Sequence, residues 1–223
     1  MRYGFFGWLV KAAFSDTAFA YMGKEFPSLD VDAYRDRVYR TYKDIVKRTP
    51  SIGSARKNMF VVTMYLGAFL IALYKESDGL LREEKIKDLL HVLVYSPLMA
   101  KAKEGKSAFT KKIIKRRSQQ AKWSRDNIQC YPMNWFYYFT KTPGKDEYYI
   151  THKQCGICKL TKQEKVPEIT KYLCAMDYYT FKMQGAVLDR TKTLAYGDDE
   201  CNFHVMSQER AKEIGFVKSP DAK

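Results

Sequence analysis

No glycine-rich phosphate loop, no G-x-S-x-G turn and no H-E-x-x-H helix occurs in the 223 residues. Their absence removes most support for nucleotide-dependent chemistry, serine-hydrolase chemistry and the common metalloprotease design. Internal repeats and low-complexity stretches are missing too. No apolar run reaches the ~20 residues of a bilayer-spanning helix. The longest candidate, Met59 to Tyr74, is diluted by Thr63 and Gly67 and reads as a helix buried in a helical region, with no membrane span. Lys11 interrupts the apolar stretch after Arg2 and no small-x-small cleavage pattern follows, so no secretory signal is expected. An even set of cysteines is also lacking. Five cannot all pair internally, and the expectation is a reduced, cytoplasmic protein with free or metal-bound thiols.

Acidic residues are nearly absent between Pro97 and Arg125, where ten Lys or Arg stand against Glu104 alone. That window carries +9 of the formal +14. Such a field favours anionic partners, yet no recognised DNA- or RNA-binding motif accompanies it. Lys101–Lys122 is therefore expected to form one long helix with a solvated basic face, and no specific nucleic-acid partner is expected.

What is present can fold. The chain is 46% hydrophobic and 15% aromatic, enough to bury a real core. Val31, Tyr34, Val38, Tyr42 and Val46 recur at helical spacing behind Asp30 or Asp32 as N-cap. Another helix is expected after Ser77 or Asp78. Near Asp126 the character changes. Asn127–Thr140 and Glu147–His152 flank a Thr-Pro-Gly turn, and Val187–Tyr196 and Cys201–Met206 flank Gly197–Glu200, two hairpin patterns. Between them lie a short helix around Cys158 and a longer one, with Pro167 in its first turn and Gly185 at its end. The fold class is α+β: an N-terminal helical region (1–125), an antiparallel region with packed helices (126–206) and a polar tail (207–223), together one compact unit.

Three groups can carry chemistry. On the helix after Pro167, Thr170, Cys174, Asp177 and Phe181 follow one another at spacings of four, three and four, which aligns them on one flank. A thiol and a carboxylate at the edge of a core can wall a pocket; the plain alternative is a buried Cys and a solvated Asp. His152, Cys155 and Cys158 offer a partial zinc set, but no second C-x-x-C follows, so no metal or other cofactor is expected and the cysteines read as ordinary thiols. Asp198 and Asp199 belong first to a turn, though adjacent carboxylates can also act as acid and base. Arg190 and His204 lie on the two strands of that hairpin, and Arg190 can hold a carboxylate in a bidentate pair.

The segments "LCAMD", "LDRTKTLAYGDDECNF" and "ITHKQCGICKL" together resemble the L-2-amino-thiazoline-4-carboxylic acid hydrolase family, over roughly Asn127 to Val205. Asn202 stands where that pattern has an acidic residue, so any role for a carboxylate there is lost. The resemblance implies hydrolytic opening of a cyclic amidine-like ring to N-carbamoyl-L-cysteine. It implies Cys174 as nucleophile, Asp177 as base or orienting group, and Arg190, Thr193, Asp198, Asp199, Cys201 and His204 around the small-molecule substrate. The competing reading is a non-enzymatic small-molecule-binding regulatory module. Turnover discriminates the two.

Overall fold

In the computed structural model, which describes residues 1–103 and 106–216, the first four helices form a layer on their own. They are α1 (Phe5–Glu25), α2 (Val31–Arg48), α3 (Val61–Glu76) and α4 (Glu83–Val94). Helix α1 touches α2, α3 and α4, and α2 runs against α3. The expected stripe on α2 is real. Tyr34, Val38, Tyr42 and Val46 are buried, with Ile45 beside them, and Asp30 caps the helix by accepting from the Ala33 N–H at 3.0 Å. Helix α3 is the apolar run of the sequence, and it buries ten residues, Val61 to Leu73. Among the described residues no helix is long and apolar enough to cross a membrane.

Two helices lead to the sheet, the short α5 (Pro97–Lys103) and the longer α6 (Lys111–Asp126). The basic segment is thus not one helix. Thr110 starts α6 afresh, its Oγ1 accepting from the Ile113 N–H at 3.3 Å, and Phe109 sits in the turn before it. Glu104 and Gly105 lie outside the described residues. The expected caps of α4 also fail. Ser77 closes α3 instead, and α4 begins only after Arg82.

The sheet contains β1 (Phe136–Lys141), β2 (Glu147–Gln154), β3 (Ala186–Arg190) and β4 (Cys201–Ser207) in the order β1-β2-β4-β3, all antiparallel. Strand β1 starts nine residues after Asn127 because 127–135 is spent on turns. Strand β3 stops at Arg190, and a 3-10 turn at Leu194–Tyr196 with Gly197 at φ 94° makes the return to β4 a loop rather than a tight hairpin. The tail is not extended chain at first: Ser207 caps α9 (Gln208–Glu213). Residues 217–223 lie outside the described residues.

Alternation along the strands gives the sheet one buried face. Tyr137, Tyr148, Ile150, His152, Leu188, Arg190, Cys201, Phe203 and Val205 are buried, whereas Tyr138 and Tyr149 are exposed. Helix α6 lies against β1, and α8 (Thr170–Met183) lies against β3. Helix α7 (Gly156–Gln163) follows β2 directly and meets α3. One continuous apolar cluster runs from Val10 in α1 to Val205 in β4. The buried Glu164 at the end of α7 pairs with Arg48 of α2, Arg48 Nε donating at 2.7 Å, and with Lys75 of α3 at 3.4 Å. Ion pair and apolar contact together fix α7 to the helical layer.

Candidate active site

Between the inner face of the sheet, α6, α7, α8 and the start of α3 lies a cavity of about 180 Å3. Met59, Phe60, Trp135, Tyr137, Phe181 and Phe203 supply its apolar wall. Its polar groups are Arg117, His152, Cys155, Cys174, Asp177, Arg190 and Cys201. Each is delivered by an element already described. The flank predicted on α8 faces inward, and Cys174, Asp177 and Phe181 all reach the cavity. Thr170, the fourth residue of that flank, is instead spent on a 2.6 Å hydrogen bond with Thr161 that ties α8 to α7.

Arg190 comes from the end of β3. Its guanidinium donates to Asp177 Oδ2 at 3.2 Å and to the Cys174 carbonyl at 3.3 Å, and it lies over the rings of Tyr178 and Phe203. Its side chain is 1% exposed, whereas that of Asp177 is 44% exposed, with the cavity as the space it lines. Arg190 therefore serves first to hold α8 and Asp177 in place. The enclosure raises the Asp177 pKa above the usual carboxylate value, against the pull of Arg190 and Arg117.

Arg117 is the cation that the sequence reading left on a solvated face. It lies 5.4 Å over Tyr148 and 5.5 Å over Phe181. Its Nε has no hydrogen-bond partner, and it enters no ion pair among the described residues. The sequence held a signal for it. Ile114, Arg117, Ala121 and Ser124 recur at helical spacing, and Arg117 occupies an inward position of that stripe.

His152 stands on β2, paired across the sheet with Tyr137 on one side and Cys201 on the other. The rings of Phe60, Tyr137 and Phe203 surround it. Burial, then Arg117 and Arg190, press its pKa down to about 3, so the imidazole is neutral at physiological pH. Its Nδ1 is buried and has no protein partner among the described residues.

Cys155 is the N-cap of α7. The junction is built tightly: Gln154 Nε2 donates to the carbonyls of Pro132 and Asn134 at 2.9 and 2.6 Å. A Cβ on Gly156 would sit 2.7 Å from the Met133 carbonyl oxygen and from the Trp135 ring, so only glycine lets the strand turn into the helix here. No side chain closes a conventional cap hydrogen bond. Instead the Cys158 thiol, then the amide groups of Cys158 and Ile157, act on the Cys155 sulfur and lower its pKa below the usual thiol value, with burial opposing them. Cys158 is correspondingly pushed up.

The other two thiols behave differently. Burial, then Cys155 and Asp177, hold Cys174 well above the usual thiol pKa. Burial raises Cys201 to about 12, and its sulfur accepts from the Leu194 N–H at 3.3 Å. Among the described residues, no three His, Cys, Asp or Glu side chains are grouped so as to hold a metal ion, His152, Cys155 and Cys158 included.

The remaining predicted residues are not brought to the cavity. Asp198 is exposed and accepts from the Thr193 N–H at 2.7 Å, so it shapes the loop. Thr193 is buried behind it. Asp199 pairs with Lys192 and Lys153 on the surface. His204 points to the opposite face of the sheet, stacked on Tyr149 and bonded to Glu147 at 3.0 Å. Asn202 accepts from the N–H groups of Thr191 and Lys192 and donates to Thr191 Oγ1, so the amide at this position builds the loop after β3.

A family model described as L-2-amino-thiazoline-4-carboxylic acid hydrolase matches residues 63–205, more than half of the chain. The chain belongs to the L-2-amino-thiazoline-4-carboxylic acid hydrolase family. No curated protein matches it, and no solved structure does. The family span begins within α3, well before the Asn127 at which the motif resemblance starts. Of the cavity residues only Met59 and Phe60 fall outside it.

Proposed function

We propose that this member of the L-2-amino-thiazoline-4-carboxylic acid hydrolase family is a cysteine-dependent hydrolase. It opens a small cyclic amidine such as L-2-amino-thiazoline-4-carboxylate to N-carbamoyl-L-cysteine. One observation carries the reading. Cys155, the cavity thiol whose pKa is lowered, shares the cavity with a neutral histidine and with Arg117, which enters no ion pair among the described residues. The cavity suits a small ring, since an engineered pocket of about 150 Å3 takes up benzene.

The chemistry follows from those groups. The Cys155 thiolate attacks the ring carbon between nitrogen and sulfur. The ring carbon–sulfur bond breaks, and the ring sulfur leaves and takes up a proton. An S-linked isothiourea on Cys155 results. Water then attacks the same carbon, Asp177 with its raised pKa accepts the proton, the neutral His152 hydrogen-bonds the water, and Cys155 departs as thiolate. Asp177, fixed by Arg190, orients the amidine nitrogens. Arg117 holds the substrate carboxylate, the role first expected of Arg190. The role of nucleophile passes from Cys174 to Cys155 because a thiol held protonated by burial is a poor nucleophile. Cys174 remains a wall residue.

The test is incubation of the purified chain with L-2-amino-thiazoline-4-carboxylate, following new free thiol above the protein's own. Steady release of thiol that Cys155→Ser abolishes supports the reading. Saturable binding without thiol release would instead make the chain a ligand-binding module.

A further inference from the structure

We propose that Cys155 and Cys158 form a reversible intramolecular disulfide, which makes the start of α7 an oxidation site for hydroperoxides. Cys155 is the N-cap and Cys158 the third residue of the helix, so the two side chains leave the same end of α7 on the same side. The two thiols act on one another, Cys158 lowering the pKa of Cys155. Gly156, pinned against Met133 and Trp135, keeps the turn between them tight. Cys155 also lines the cavity, so a small oxidant that enters meets its sulfur. His152, more than nine-tenths buried and with Nδ1 unpartnered, faces the same space and can hydrogen-bond the peroxide.

The electron count closes. The Cys155 thiolate attacks one peroxide oxygen and the O–O bond breaks. Sulfur loses two electrons and becomes a sulfenic acid, and the second oxygen leaves as water or alcohol after taking a proton. The Cys158 sulfur then attacks the Cys155 sulfur. The S–S bond forms, the S–O bond breaks, and the hydroxyl departs with the Cys158 proton as water. A dithiol restores both thiols by exchange. Bond formation needs only the two thiols and the hydroperoxide. Its consequence, loss of turnover, rests on Cys155 being the nucleophile as proposed above.

Trypsin leaves residues 154–159 as one peptide carrying both cysteines. After treatment of the full chain with one equivalent of hydrogen peroxide, that peptide should lose two hydrogens in mass and regain them with dithiothreitol. In Cys158→Ser the same peptide should instead gain one oxygen at Cys155 and, with a second equivalent of peroxide, a further oxygen as a sulfinic acid that dithiothreitol does not reverse. No loss of hydrogens in the wild-type peptide, or a cross-link from Cys155 to Cys174, would overturn the proposal. A chain that forms this disulfide but never releases thiol from the thiazoline refutes the hydrolase reading alone. Turnover without the disulfide refutes the oxidation site alone.

Discussion

The helical layer and the sheet layer bury polar atoms on different terms. Within the helices, Tyr34 Oη donates to the Leu73 carbonyl at 2.7 Å, Tyr42 Oη to the Gly7 carbonyl at 3.2 Å, and Thr49 Oγ1 to the Ile45 carbonyl at 2.7 Å. Among the described residues, Ser15 and Ser96 leave a buried hydroxyl without a protein partner there. Against the sheet, buried atoms of Arg117, Tyr148, His152 and Thr193 all lack one, and three thiols and a carboxylate line the same space. An unpartnered buried polar atom costs about 1–3 kcal/mol. The helical layer carries that cost at two serine hydroxyls, while against the sheet it also falls on Arg117 and His152, two groups of the cavity wall that are left able to meet a substrate. The first layer is a support and the second a site.

That contrast breaks most sharply at Cys155. Cys155→Ser should lower kcat by about 1000-fold or more while leaving the unfolding midpoint near that of the wild type. Cys174→Ser should stay within about tenfold in kcat. Arg117→Met should raise KM by roughly 100-fold with a smaller change in kcat, because it removes a substrate anchor. It should not destabilise the fold, since no internal ion pair is lost.

Acid should expose the same asymmetry in stability. His152 has a folded pKa of about 3, below its unfolded value. The unfolded chain therefore binds the extra proton first. The stability due to a neutral His152 is complete above about pH 6.5 and falls as pH drops toward 3, at roughly 1.4 kcal/mol per unit. Denaturant unfolding at pH 7 and pH 5 should differ by about 2 kcal/mol from this residue, and His152→Gln should remove that part. In the helical layer, Tyr34→Phe should cost about 1–2 kcal/mol with unchanged kcat/KM. A loss of turnover there would blur the division between support and site.

The sequence made the supporting layer and the sheet legible for simple reasons. The α2 stripe and the α8 flank follow helical spacing, and the strands β1, β2 and β4 lie in β-prone runs beside turn residues, so these elements and the shared flank of Cys174 and Asp177 could be read directly. The order of the strands and the long loop after Arg190 could not, because register is set by tertiary pairing. Helix α1 is too evenly apolar to show a stripe. Arg117 was hidden among nine other cations of the basic segment, where charge masks the inward position of one side chain. Cys155 looked like an ordinary thiol because its acidity comes from the start of α7 and from Cys158. His204, Asp198 and Asp199 were attractive by type, but they face the outer side of the sheet or the loop.

The central claim is that Cys155, and not Cys174, is the reactive thiol of this cavity. The direct measurement is the pH dependence of alkylation at each cysteine, read by peptide mass with and without L-2-amino-thiazoline-4-carboxylate. The account predicts that Cys155 labels ahead of Cys174, with an apparent pKa below the usual thiol value of about 8.5, and that the thiazoline protects it. Faster labelling of Cys174, or labelling of Cys155 that rises only above that value and ignores the thiazoline, would contradict it.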